Sequence, residues 1–251
     1  MSVKAVILRT AGTNCDQETA HALKLAGAQA EAIHINQFIS GKRKLDEFQI
    51  LIIAGGFSYG DDIAAGKVLA NELRSKLGVE LSAFIAKGKI VIGICNGFQV
   101  LVKTGYLPGD GKERQTATLA GNDSGRFQCH WTRMEREDSA CGWLNQTDAE
   151  WDLPIAHGEG KFWPQDAKSL AALEKNKQVI FRYKGSNPNG SAHRIAGVCN
   201  AKGNVVGLMP HPERHVQRTQ HPEWTRMEKK SADPVGLQFF KAAVNFAERL
   251  S

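Results

Sequence analysis

Cysteine is scarce in this 251-residue sequence, and its five copies, Cys15, Cys95, Cys129, Cys141 and Cys199, include no Cys-x-x-Cys pair. An odd, widely spaced set excludes a disulfide framework and a zinc knuckle, and fits a reducing, cytoplasmic setting. Long hydrophobic runs are missing as well. The longest, Ile50 to Ala54 and Ile90 to Cys95, fall far short of the roughly 20 residues that a transmembrane helix needs, and no signal-peptide pattern opens the chain. No membrane partner is expected. Nor does one sign of charge dominate: 32 Lys and Arg against 26 Asp and Glu leave +6. The basic residues are scattered without interleaved aromatics, which argues against nucleic acid, and Lys42-Arg43-Lys44 reads as a solvated loop.

What is present is the balance of a folded chain, 42% hydrophobic and 23% charged. A chain of this length buries roughly 70 to 75% of its unfolded surface, so it needs no staple. The first half alternates short apolar runs with amphipathic stretches: Lys4 to Leu8, a helix over Asp16 to Leu25, Ala30 to Ile35, Gln49 to Ile53, a long helix over Val68 to Ala86, and Lys89 to Ile94. Runs such as Ile50-Leu51-Ile52-Ile53 are apolar on both faces, as internal parallel strands are. The second half is more irregular, with strands expected at Phe181 to Tyr183, Ala196 to Val198 and Val205 to Leu208, and a closing helix over Pro234 to Leu250. With no linker and no internal repeat, the pattern predicts one α/β domain over residues 1–251, an open, mixed, mostly parallel sheet with helices on both faces.

Three segments carry chemistry. Ile90-Val91-Ile92-Gly93-Ile94-Cys95-Asn96-Gly97-Phe98-Gln99 reads as a buried strand, a sharp turn and a helix start: a nucleophile elbow with sulfur in place of oxygen. A thiol there faces the positive end of a helix dipole, which favours the thiolate. The bland reading of Cys95 is a small buried apolar residue. Near the other end, Val205-Val206-Gly207-Leu208-Met209-Pro210-His211-Pro212-Glu213 is a short strand running into His-Pro-Glu. If strand geometry persists, His211 and Glu213 point to one side, a base beside the carboxylate that orients it. His215 and His221 lie in a polar tract and read as solvated. Between these segments, Gly55-Gly56-Phe57-Ser58-Tyr59-Gly60-Asp61 follows a buried strand, on the sheet edge that also carries Cys95. Backbone amides at Gly56 and Asn96 can hold a developing oxyanion there. The spacing from Gly60 to Gly66-Lys67, followed by Val68, does not fit a phosphate loop.

The Cys elbow, the glycine-rich loop before it and the late His-x-Glu together resemble the class I glutamine amidotransferases, whose triad is Cys, His and Glu in that order. Ala156-His157-Gly158-Glu159-Gly160 and Asn187-Pro188-Asn189-Gly190-Ser191 extend the likeness to the glutaminase subunits that serve de novo purine synthesis. The resemblance implies a flavodoxin-like amidotransferase fold, with Cys95 as nucleophile, His211 as general base and acid, and Glu213 as its partner. It implies L-glutamine as substrate, met by Gly55, Phe57, Gln99, His157, Gly158 and Glu159, with no metal or cofactor in this chain. The implied partners are an ATP- and Mg-using synthetase subunit and a small accessory subunit. The loop Arg9 to Asp16 resembles the family's first strand-to-helix loop, and helix capping by Asn14 or Asp16 accounts for it equally well.

Overall fold

The computed structural model describes residues 2–109, 114–226 and 233–250. Residues 227–232 of the polar stretch that follows His-Pro-Glu lie outside them.

Strand β1 (Lys4–Arg9) leads to helix α1 (Asp16–Leu25), strand β2 (Gln29–His34), short helix α2 (Ile35–Ile39) and strand β3 (Ile50–Ile53). Helices α3 (Lys67–Glu72) and α4 (Gly78–Ala86) follow, then strand β4 (Ile90–Ile94) and helix α5 (Asn96–Thr104). The uninterrupted helix expected over Val68 to Ala86 is broken by a π turn at Leu73–Leu77. Leu69, Leu73, Leu77 and Leu81 are all buried, and each step of four residues overshoots an α-helical turn by about 40°. The wider turn absorbs that excess and keeps the leucines on the core side.

The second half supplies β5 (Ala117–Ala120), β6 (Gln128–Arg136), β7 (Glu150–His157), β8 (Lys161–Pro164), helix α6 (Ala167–Lys175) and β9 (Val179–Tyr183). Strands β10 (Ile195–Cys199) and β11 (Val205–Leu208) and helix α7 (Val235–Glu248) complete it. One nine-stranded sheet runs in the order β2-β1-β3-β4-β11-β10-β9-β6-β7. From β2 to β11 the strands are parallel; β10, β9, β6 and β7 extend the sheet by antiparallel pairing. The parallel half has the flavodoxin-like order, in which ligands bind at the carboxyl edge of the strands.

Every residue of β3, β4 and β11 is buried, which requires cover on both faces. Helix α1 packs with α7, and α3 with α5. Phe98 of α5 stacks on Phe162 of β8 with centroids 6.1 Å apart, tying the small β5-β8 sheet to α5. Strand β7 escapes a pattern reading because Pro154 interrupts it; as the last strand of the sheet it has an edge where a missing N–H costs nothing.

Candidate active site

Cys95 stands between the last residue of β4 and the first of α5 with φ 51° and ψ −106°. A positive φ on a residue with a side chain is strained, and it persists because the surroundings fix it. A Cβ at Gly97 would sit 1.8 Å from Ile53 O, and one at Gly93 2.5 Å from Gly97 O, so both glycines of the elbow are demanded by packing. The Cys95 amide donates to Leu208 O at 2.9 Å, which fastens the elbow to β11, the strand leading to His211.

His211 and Glu213 are buried, and His211 Nδ1 lies 2.6 Å from Glu213 Oε1. The pairing expected from the sequence is present, but strand geometry does not persist: Pro212–Arg214 form a 3-10 turn, which folds Glu213 back beside the ring. Its other ring nitrogen, Nε2, is buried without a hydrogen-bond partner, and two cysteines, Cys95 and Cys15, bear on the ring electrostatically. Burial alone would push the His211 pKa down; the Glu213 carboxylate and the neighbouring sulfurs outweigh it and hold the imidazole well above its usual range. A Cβ at Gly55 would lie 2.9 Å from His211 Cε1 and 3.0 Å from Cys15 Sγ, so this glycine lets the imidazole rest against the backbone of the glycine-rich loop.

Strand β7 serves the site as a rail. Successive even-numbered carbonyls along its free edge accept hydrogen bonds: Asp152 O from His215 Nδ1 at 3.0 Å, Pro154 O from the His211 amide at 2.9 Å, and Ala156 O from Cys95 Sγ at 3.5 Å. The solvated reading of His215 and His221 is wrong. Both are 4% exposed, packed on Trp131 at 5.2 and 4.5 Å between centroids, and His221 Nε2 meets Asp152 Oδ2 at 3.1 Å. The polar tract that suggested solvent is folded back over the strand-β7 rail.

The glycine-rich loop lies against the loop after β1. Phe57 N donates to Gly12 O at 2.9 Å and Asn14 N to Gly55 O at 3.4 Å, so the bridge between Thr13 and Gly56 leaves the Gly56 N–H unspent. Asn96 N is the first amide of α5, one of the orphan donors of a helix start. The Asn96 side chain accepts from Ser58 N at 3.2 Å and donates to Asp61 Oδ1 and Gln99 Oε1 at 3.1 and 3.0 Å, locking loop and elbow together.

The remaining expected glutamine contacts cluster at the same edge, and several are already engaged. Gln99 Nε2 donates to Glu159 O at 2.6 Å. The Glu159 carboxylate accepts from Ala65 N at 3.3 Å and faces Lys103 Nζ at 3.8 Å. Buried Lys103 also donates to Ala65 O at 2.5 Å, and burial pulls its pKa down against the attraction of Glu159 and Asp61. His157 Nδ1 meets Asn122 Oδ1 at 3.1 Å; burial, then the charge of His211, lowers its pKa to about 4, so it is neutral. Phe57 is half exposed, its ring 6.4 Å from that of Phe127, and Phe127 in turn borders Gly158. The Asn-Pro-Asn-Gly-Ser motif has a supporting role that sequence did not reveal: Asn189 Nδ2 donates to Gly160 O at 2.8 Å, and Ser191 Oγ accepts from Phe162 N at 2.9 Å, holding the turn after His157.

Cys15 is the residue that sequence reasoning missed. It is buried, and it is itself the N-cap of α1 with no side-chain cap bond; Asp16 pairs with Arg9 at 2.8 Å instead, so the capping account of this loop does not hold. Its sulfur, a ring nitrogen of His211 and a carboxylate oxygen of Glu213 lie within 4.8 Å of one another. Arg214 Nη2 donates to that sulfur at 3.2 Å, so a cation is already in place beside it.

A Cys-His-Glu constellation on a strand-to-helix elbow, at the carboxyl edge of a doubly wound sheet, defines an amide-hydrolysing amidotransferase site, and the chain belongs to the glutamine amidotransferase family. The family described as CobB/CobQ-like glutamine amidotransferase domain matches residues 2–247. Among curated relatives, the phosphoribosylformylglycinamidine synthase subunit PurQ of Dehalococcoides mccartyi is 45% identical, over 99% of each chain, and that of Treponema denticola is 42% identical, over 98% of this chain and 99% of the relative. Among solved structures, PurLQS from Thermotoga maritima contains a chain that superposes with a TM-score of 0.77 at 33% identity, covering 98% of this chain and 99% of that one. A glutamine amidotransferase from the same organism, 17% identical with a TM-score of 0.57 over 100% of this chain and 98% of its own, shares the fold.

Proposed function

We infer that this chain is the glutaminase subunit of a phosphoribosylformylglycinamidine synthase, hydrolysing L-glutamine and passing ammonia to a synthetase subunit. The observation that carries the reading is the buried Cys95-His211-Glu213 constellation, with its 2.6 Å His-Glu contact, in a chain whose relatives bear that name over their full length. Cys95 attacks the side-chain carbonyl of glutamine with its proton held by His211. The amides of Gly56 and Asn96 take the oxyanion. His211 returns the proton to the departing nitrogen, ammonia leaves, and a glutamyl thioester remains. Water then gives a proton to His211 and adds to the thioester; collapse releases glutamate, and Cys95 is left as it began, its proton held by His211.

ATP and Mg belong to the synthetase subunit, which forms the amidine from the formylglycinamide ribonucleotide; a small accessory subunit completes the assembly. No described helix is long and apolar enough to cross a membrane, and all five cysteines are free, which fits a reducing cytoplasm. Glutamine hydrolysis by the chain alone and with a synthetase subunit added, with Cys95→Ala as control, tests this reading. Cys95-dependent stimulation of hydrolysis by the partner is the expected result. Hydrolysis in the assembled complex that survives Cys95→Ala overturns it.

A further inference from the structure

Building on the glutaminase reading, we propose that Cys15 is a positioning residue: its sulfur holds the Arg214 guanidinium off Glu213, so that the carboxylate stays committed to His211. Arg214 follows Glu213 directly, and two partners hold it elsewhere. Its Nε donates to Glu18 Oε1 at 2.9 Å and its Nη2 to Cys15 Sγ at 3.2 Å. Glu213 Oε2, meanwhile, is buried and without a hydrogen-bond partner. A carboxylate with one oxygen free, beside a guanidinium, invites the bidentate pair that arginine forms best. Cys15 removes the means. Burial, the largest influence, keeps it a thiol, its S–H donates to Asn14 Oδ1 at 3.2 Å, and its lone pairs remain for Arg214.

Without that sulfur, Nη2 is released, and the unpartnered Glu213 Oε2, whose charge already acts on Arg214, is an acceptor for it. A guanidinium there cancels the negative field that supports the imidazolium, and His211 holds the proton of Cys95 less well. The titratable groups acting on His211 are Cys15 from the first loop, Cys95 from the elbow, His157 from β7 and Glu213 from its own turn, with Arg214 and its partner Glu18 beyond Cys15. Only Arg214 changes partner in this account.

The test is the pH dependence of Cys95 alkylation by iodoacetamide in the full chain, read from the mass of the Cys95 peptide so that exposed Cys129 does not contribute. It needs neither glutamine nor a synthetase. An assembled complex whose glutamine hydrolysis survives Cys95→Ala therefore sinks the glutaminase reading without touching this result. Cys15→Ala is expected to raise the alkylation midpoint by about one pH unit, while Cys15→Ser, whose hydroxyl accepts from Arg214, stays within about 0.3 of wild type. Cys15→Val, which fills the space and accepts nothing, carries the same expectation as Ala if the Ala variant does not fold. Adding Arg214→Gln to either apolar variant is expected to bring the midpoint back. Apolar variants with a wild-type midpoint, a Ser variant that shifts as far as Ala, or no return on removing Arg214 would each overturn the proposal.

Discussion

His211 and His157 show how local environments set different charges on two histidines of one site. The carboxylate at 2.6 Å favours imidazolium at His211, whereas burial leaves His157 neutral with its pKa at about 4. The consequences for stability have opposite signs. A raised folded-state pKa contributes stability that is full below the unfolded value of about 6.5 and is lost as pH rises through the folded one. Glu213→Gln is therefore expected to cost more stability at pH 6 than at pH 9, checked by urea midpoints, and to lower kcat for glutamine by on the order of 10² to 10⁴. His157, depressed, contributes stability that is lost as pH falls from about 6.5 towards 4, roughly 3 kcal/mol in all. His157→Asn is expected to lose less stability than wild type between pH 7 and pH 5 in the same measurement. Cys95, His211 and Glu213 were legible in the sequence because spacing expresses their constraint. Cys15 was not, because Arg214, 199 residues away, is what gives its sulfur a task.

Among the elements, the β4-α5 elbow and the β7 rail divide what a sequence can and cannot disclose. The elbow is written in side chains, since only glycine fits where α5 crosses β3. Gly97→Ala, placing a Cβ 1.8 Å from Ile53 O, is expected to destabilise by about 3 kcal/mol or more, read as a lower urea midpoint at unchanged slope. The rail is written in carbonyls, which every residue has, so its contacts left no mark in residue identity, and Pro154 interrupts the alternation that marks the strand itself. The π turn was hidden for a related reason: a four-residue leucine spacing resembles α-helical periodicity until it is followed for several turns. Lys103 links two of these elements, anchoring Ala65 of the rim loop and Glu159 of the turn after β7 to α5. Lys103→Met loosens both walls of the pocket, so KM for glutamine is expected to rise roughly tenfold with a smaller change in kcat, measured by steady-state hydrolysis.

For the whole molecule, the sheet joins two kinds of pairing to one purpose. Its parallel half delivers Cys95 and the glycine-rich loop to the carboxyl edge, and β11 with the antiparallel extension brings His211 and the β7 rail to meet them. The parallel half was readable from runs apolar on both faces. The β6-β7 hairpin was not, because Pro154 interrupts the alternation of β7 and the cover of β6 comes from a polar tract, with Trp131 packed on His215 and His221. The glutaminase reading requires of this edge one reactive thiol among five cysteines, Cys95, and that is the claim on which the account stands. The most direct test is covalent labelling by a diazoketone analogue of glutamine, followed by peptide mass analysis. The account predicts one label per chain, on Cys95, with proportional loss of glutaminase activity and protection by L-glutamine. Inactivation with the label on Cys129 or Cys15, or full labelling of Cys95 with activity intact, would contradict it.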